Sequence, residues 1–261
     1  MEATVLVAIR DISRHDALSL TDCDNGNQLP QDLRGSRSML PSNYSIRHVA
    51  PEDFEAIIEI CELVYPTETP YTLEELEDHH QVYPQGQFVA IENTRNEVAG
   101  VHFTLRLQMI DFHIDDSWDV LTSGGSFLDH NAEGHTLYGA DIMVHPTHQH
   151  HGLAHALTDQ ARYLVQDESL WRMVGASRLP GYSKQSSEMS AEAYVDAVVS
   201  GTQFDPVLSI HIKDGWNVVK PIHGYLQHDD ESAGWAAVIQ WVNPHCPPPP
   251  QFDLSKLTPV S

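Results

Sequence analysis

Leu137-Tyr138-Gly139-Ala140-Asp141-Ile142-Met143-Val144-His145-Pro146, with Gln149-His150-His151-Gly152-Leu153-Ala154 close behind, is the stretch on which the fold turns. The segment up to Val144 is mostly apolar and reads as a strand, which Pro146 ends because its ring removes a ladder donor. From Leu153 onward, Leu157, Ala161, Leu164 and Val165 recur at helical spacing. The amides of a first helical turn have no intrahelical partner, and the aligned peptide dipoles add about half a positive charge there. An anion fits on such a turn, and the small Gly152 and Ala154 let its oxygens reach the main chain. Taken alone, the pattern describes either a diphosphate cradle or a simple capped helix start.

The chain has 261 residues, 41% of them apolar, enough for a substantial core in one large domain with tails or two small ones. Against 37 acidic residues stand 14 basic ones, a formal charge of -23, which argues against nucleic acid or an anionic membrane as partner. That charge suits a cationic substrate, although most carboxylates of this kind form a solvated surface. Cys23, Cys61 and Cys246 are odd in number and far apart, so neither a disulfide framework nor a thiolate zinc site is indicated. The early apolar run Val5–Ile9 is too short for a signal segment, nothing elsewhere reaches a membrane span, and a cytoplasmic location is expected.

Residues 1–43 have the composition of an arm or linker, and the prolines after Asn243 make 244–261 an extended tail. Between them, 44–243 reads as one domain. Tyr44-Ser45-Ile46-Arg47 is a strand, and Pro51-Glu52-Asp53 starts a helix with Phe54, Ile57, Ile58, Cys61 and Val64 on one face. An acidic helix runs from about Thr72 to His80, and two alternating segments flank Asn93–Asn96 as a hairpin. Residues 115–134 are expected to be loop. After the central strand and helix, Trp171–Ala176 is a parallel strand and Ser190–Val199 a helix. Asp205, Pro206 and Gly215 bracket another helix of about ten residues, and two strands follow, the first with Pro221 at a bulge or edge.

Val144-x-Pro146 followed by Gln149-x-x-Gly152-x-Ala154 resembles the acyl-CoA-binding signature of the GNAT superfamily of N-acyltransferases, and the element order over 44–243 is that of the family. The segments Arg178–Tyr182, Asp205–Leu208, Gly215-Trp216 and Ser232–Trp235 look like the GNAT domain that bacteria fuse to a carbon-nitrogen hydrolase of the nitrilase type; no hydrolase is expected in this chain. The resemblance implies an α/β fold with a mixed, about seven-stranded sheet flanked by helices. It implies transfer of an acyl group, acetyl by default, from coenzyme A to a primary amine of a small molecule or peptide. The other reading is a non-catalytic acyl-CoA-binding module that senses the thioester or docks a separate nitrilase-type enzyme. Neither nucleic acid nor membrane is expected as partner, and a homodimer is compatible with the sequence.

By that resemblance Met143 and Val144 serve the pantetheine arm, and Gln149, His150, His151, Gly152, Leu153 and Ala154 the phosphates, with histidines where relatives carry arginine or glycine. Counting back from Gly215-Trp216 puts His211 where relatives have a proton-donating tyrosine; the ring either donates to the thiolate or only packs there. Tyr138 occupies the position of a glutamate base of some relatives, though a phenol is a poor base at neutral pH. Asp141 lies on the opposite strand face from Tyr138 by alternation and either meets the acceptor or pairs structurally. Glu68 and Tyr71, on the turn after the first helix, border the acceptor or face water. Arg178–Tyr182 borders the acceptor or shapes the crossover. His145, His148, His150, His151 and His155 are polar cover over the loop, and no metal is expected, since no acid or cysteine completes a ligand set.

Overall fold

The structure is a computed structural model that describes residues 40–66, 68–108, 114–226 and 229–250, so the expectations for residues 1–39 and for the end of the proline-rich tail lie outside it. Strand β1 (Tyr44–His48) leads through one 3-10 turn at Pro51–Asp53 into helix α1 (Phe54–Val64). The Asp53 carboxylate closes that entry, accepting from the Ala50 amide at 2.8 Å and from Arg47 at 2.6 and 2.8 Å. Helix α2 (Leu73–Val82) starts on a capping box in which the Thr72 hydroxyl and the Glu75 carboxylate each accept the other residue's amide. Strands β2 (Gln87–Glu92) and β3 (Glu97–Leu107) form the hairpin. The span expected as loop holds a short helix, α3 (Trp118–Leu121), capped by the Ser117 hydroxyl.

Strand β4 (Thr136–Val144), helix α4 (Leu153–Asp167) and strand β5 (Arg172–Arg178) form the central unit. Helices α5 (Ala191–Val199) and α6 (Leu208–Lys213) and strands β6 (Asn217–His223) and β7 (Trp235–Val242) complete the domain. Helix α6 is shorter than its sequence markers suggest. Asp205 does accept from the Val207 and Leu208 amides at 2.9 Å. Its buried carboxylate also accepts from the Gly181 amide and the Tyr194 hydroxyl, which ties the entry turn to the β5–α5 connection instead of the helix axis.

The seven strands lie in the order β1-β2-β3-β4-β5-β7-β6, antiparallel throughout except for β4 and β5. Pro221 sits in β6, an edge strand that also carries a register shift between Val218 and Lys220, where a missing donor costs least. Helices α1 and α2 cover one face, with Ile57, Ile60, Phe103 and Leu105 in the seam; α4, α5 and α6 cover the other, with Leu157, Ala161, Val165 and Ala237. Each fully buried leucine or isoleucine stabilises the fold by roughly 1.5–3 kcal/mol relative to exposure.

Two irregularities at the centre matter most. The parallel pairing of β4 with β5 covers only Thr136–Tyr138 against Arg172–Val174. Beyond it, β4 stays with β3 and β5 with β7, so the strands part at Gly139 and Gly175 and their facing edges have no strand partner. The second irregularity is a bulge: Thr104 opposes Gly139 and Phe103 opposes Asp141, which leaves Ala140 without an opposite residue. Its carbonyl accepts from the Trp118 indole at 3.0 Å instead. An extra residue reverses the alternation, so Asp141 shares the face of Tyr138, and the expectation that the two point to opposite faces is corrected.

Candidate active site

The parting of β4 and β5 opens a cavity of about 850 Å3. His102, Thr158, His211 and Trp216 line it on the side of α4 and α6, while Tyr65, Glu68, Tyr71, Asp141 and Tyr225 line it on the side of α1 and α2. Gly139 stands between. A Cβ there would lie 3.0 Å from Met173 Cε and 3.4 Å from His102 Nε2, so glycine keeps the passage open. A second cleft of about 600 Å3, beside Glu52, Phe54, Glu77 and His80, shares no residue with the first.

Past Ile142, the last β4 residue that lines the cavity, the strand ends with Met143 buried and Val144 half-buried, and the Val144 carbonyl accepts from the Gln149 side chain at 3.4 Å. Gly152 precedes α4 at φ +75, a left-handed conformation that glycine adopts without steric cost, and a Cβ on it would meet nothing within 4 Å. Leu153 turns its side chain into the core, so only its amide is offered outward; Gly152, Ala154, His150 and His151 are exposed. Among the described residues, no amide from Gln149 to His155 donates to a protein acceptor. One turn thus gathers the residues named for the phosphates. The His151 Nδ1–H points back to the His148 carbonyl at 3.2 Å, and the Tyr44 hydroxyl lies 3.0 Å from His148 Nδ1.

His211 lies within the cavity wall on the α4 side, its Nδ1 3.0 Å from the Ser177 hydroxyl and its ring edge-on to Trp216. Burial pushes its imidazole down to about 4, with Asp214 and Arg162 pulling in opposite directions. The ring is neutral at physiological pH, and any proton it gives must first be brought to it. His102 on β3, which the sequence did not single out, lines the same wall with its Nδ1–H directed to the Leu157 carbonyl at 3.3 Å, and burial pushes it also to about 4. Its neighbours Val101 and Phe103 alternate with it, a pattern that suggests solvent on the histidine face. Helix α4 covers that face instead.

Across the passage, the Asp141 carboxylate accepts from the Tyr65 hydroxyl at 3.0 Å and the Tyr71 hydroxyl at 3.5 Å. Burial raises this carboxyl and Glu68 adds to the rise, while the two phenols oppose it; the balance lies at about 7. Tyr138 is 1% exposed and its hydroxyl is bonded to that of Tyr225. Burial holds it well above the usual phenol range, so it cannot serve as a base at neutral pH. Arg178 lines the cavity too but binds Asp229 through Nε at 2.8 Å, and the Leu179 amide donates to the Ser232 hydroxyl at 3.0 Å, so this segment shapes the crossover. Among the described residues no group of three or more His, Cys, Asp or Glu side chains is placed to hold a metal ion, and no helix is long and apolar enough to cross a membrane.

No family model matches the chain. It is 32% identical over 203 residues to an uncharacterized N-acetyltransferase, YkwB, of Bacillus subtilis (strain 168), an alignment of 76% of this chain and 88% of that protein. It is 29% identical over 198 residues to the probable hydrolase YhcX of the same organism, where 76% of this chain matches and the chain spans only 38% of the relative's length. Among solved structures, the loading GNATL domain of CurA from Lyngbya majuscula superposes with a TM-score of 0.64 at 22% identity, over 76% of this chain and 97% of that domain. That likeness bears on the fold.

Proposed function

The chain belongs to the GNAT superfamily of N-acetyltransferases, and from that premise we propose that it moves an acyl group, acetyl by preference, from coenzyme A to a primary amine. The observation that carries this reading is a cavity reaching both sheet faces through the strand split, lined by carboxylates on one side, together with a turn before α4 whose amides have no acceptor among the described residues. Coenzyme A would supply the activated thioester. The amides of residues 149–154 and the dipole of α4 suit its diphosphate, and the free edge of β4 at Met143 and Val144 suits the amides of its pantetheine arm. The amine enters past Glu68, Tyr71 and Asp141, and meets the thioester between Gly139 and Gly175. Bringing two reactants into line in this way can supply about 7–11 kcal/mol of barrier reduction without covalent help from the protein. His211, neutral at rest, relays a proton toward the departing sulfur.

The test has two stages. Calorimetry with acetyl-CoA should show binding to the purified chain, and an amine panel should then give free thiol only when an amine is present. Binding without amine-dependent thiol release would sink the transfer reaction, and absence of binding would sink the cradle.

A further inference from the structure

We propose that Asp141 is the base that takes the proton from the incoming ammonium, with Tyr65 and Tyr71 as positioning residues that hold its carboxylate; the inference rests on the acyl-transfer reading above. The geometry comes from the β4 bulge. Without the extra residue at Ala140, Asp141 would point to the α4 face, away from the carboxylate-lined half of the cavity. With it, the carboxylate borders the passage two residues past the point where the strands part, and each oxygen receives one phenol, Tyr65 on Oδ1 at 3.0 Å and Tyr71 on Oδ2 at 3.5 Å. The Ile142 amide also bonds this carboxylate, and since its two oxygens carry about four lone pairs, three donors leave one for an arriving N–H.

The surroundings are mixed in a way that suits a base. Cys61 faces Asp141 from α1; Tyr65, Glu68 and Tyr71 come from the α1–α2 connection, Tyr138 from β4 itself, and Tyr225 from the segment after β6. Glu68 is the carboxylate whose charge acts on Asp141. The cation of Arg178 on β5 is directed to Asp229, at 2.8 Å. Burial and Glu68 place the Asp141 carboxyl near neutrality, where a general base is both ionised in part and strong enough to accept a proton.

In the step, the ammonium gives one proton to Asp141, and the freed nitrogen lone pair attacks the thioester carbonyl carbon. The tetrahedral adduct expels the thiolate as the C–S bond breaks. The second proton on nitrogen passes to sulfur, giving amide and free thiol, and Asp141 returns its proton to solvent.

The test is the pH dependence of kcat/KM with one amine held constant, so that the amine's own ionisation cancels between variants. Asp141→Asn should lower turnover by about 100-fold or more, within the range of general-base effects, and leave acetyl-CoA affinity unchanged. Glu68→Gln removes a like charge and should move the acid limb to lower pH; Tyr65→Phe removes a donor to the carboxylate and should move it to higher pH. Opposite displacements are not what a merely structural role produces. Because Asp141→Asn could alter packing, infrared titration of the wild type should also show a protonated carboxyl disappearing near pH 7 that the variant lacks. Asp141→Asn turning over within about threefold of wild type, or limbs displaced in the same direction, overturns the assignment while acyl transfer stands. Wild-type protein that binds acetyl-CoA and acylates no amine overturns both.

Discussion

His211 and Asp141 line one cavity, yet burial moves them in opposite directions, the imidazole down to about 4 and the carboxyl up to about 7. The cause is common: a low-dielectric wall disfavours whichever form is charged, so histidine stays neutral and the acid holds its proton longer. For His211 this predicts a relay and not a store of protons. His211→Ala should lower kcat by about 10–100-fold while acetyl-CoA still binds, measured by steady-state kinetics beside calorimetry. Unchanged kcat would leave the ring with a packing role against Trp216. The setting of Asp141 was not legible from residue type, because an aspartate in a strand reads as a structural polar group until its two phenols, distant in sequence, are in place.

At the scale of elements, the turn before α4 was the most legible part of the chain. Its spacing, its glycine and the proline that ends β4 act locally, over a few residues, and need no distant partner to be read. Gly152→Val is the sharpest probe of it. No neighbour would clash with the new Cβ, but φ +75 is strained for a branched residue by about 1–2 kcal/mol, and its methyls would cover the amides. Affinity for coenzyme A should fall at least about tenfold while the far-ultraviolet spectrum persists, the first by calorimetry and the second by circular dichroism. The bulge at Ala140 and the early parting of β4 from β5 had no comparable signal, since both depend on what the neighbouring strands do.

For the whole molecule, buried histidines set the response to acid. His79, stacked on Phe127, and His102 are both almost fully buried and both pushed down to about 4, with burial the main cause. A histidine whose folded pKa is depressed contributes stability that is fully present above its unfolded value of about 6.5 and is lost as pH falls toward the folded value. Each of these two rings therefore removes up to roughly 3 kcal/mol between about pH 6.5 and 4. Asp141 works the other way, since its raised carboxyl favours the folded state at low pH and that contribution fades as pH rises through about 7. With more depressed histidines than raised acids, the melting temperature should fall steeply between pH 6.5 and 4.5. Replacing His79 with an uncharged residue of similar size should flatten that slope in scanning calorimetry. An equal slope would mean the ring is protonated in the folded protein.

The class of fold, the strand-loop-helix unit before α4 and the surplus of carboxylates follow from the order of residues alone, because periodicity, turn chemistry and charge are properties of short segments and of composition. Which side chains meet across the split sheet is set by packing in three dimensions. Tyr65, Tyr71 and Asp141 come together because one extra residue in β4 reverses its alternation, and His102 with His211 is enclosed because α4 and α6 cover a face that alternation alone assigns to water. Both outcomes depend on pairing between strands and on packing between layers, which no local run of residues encodes.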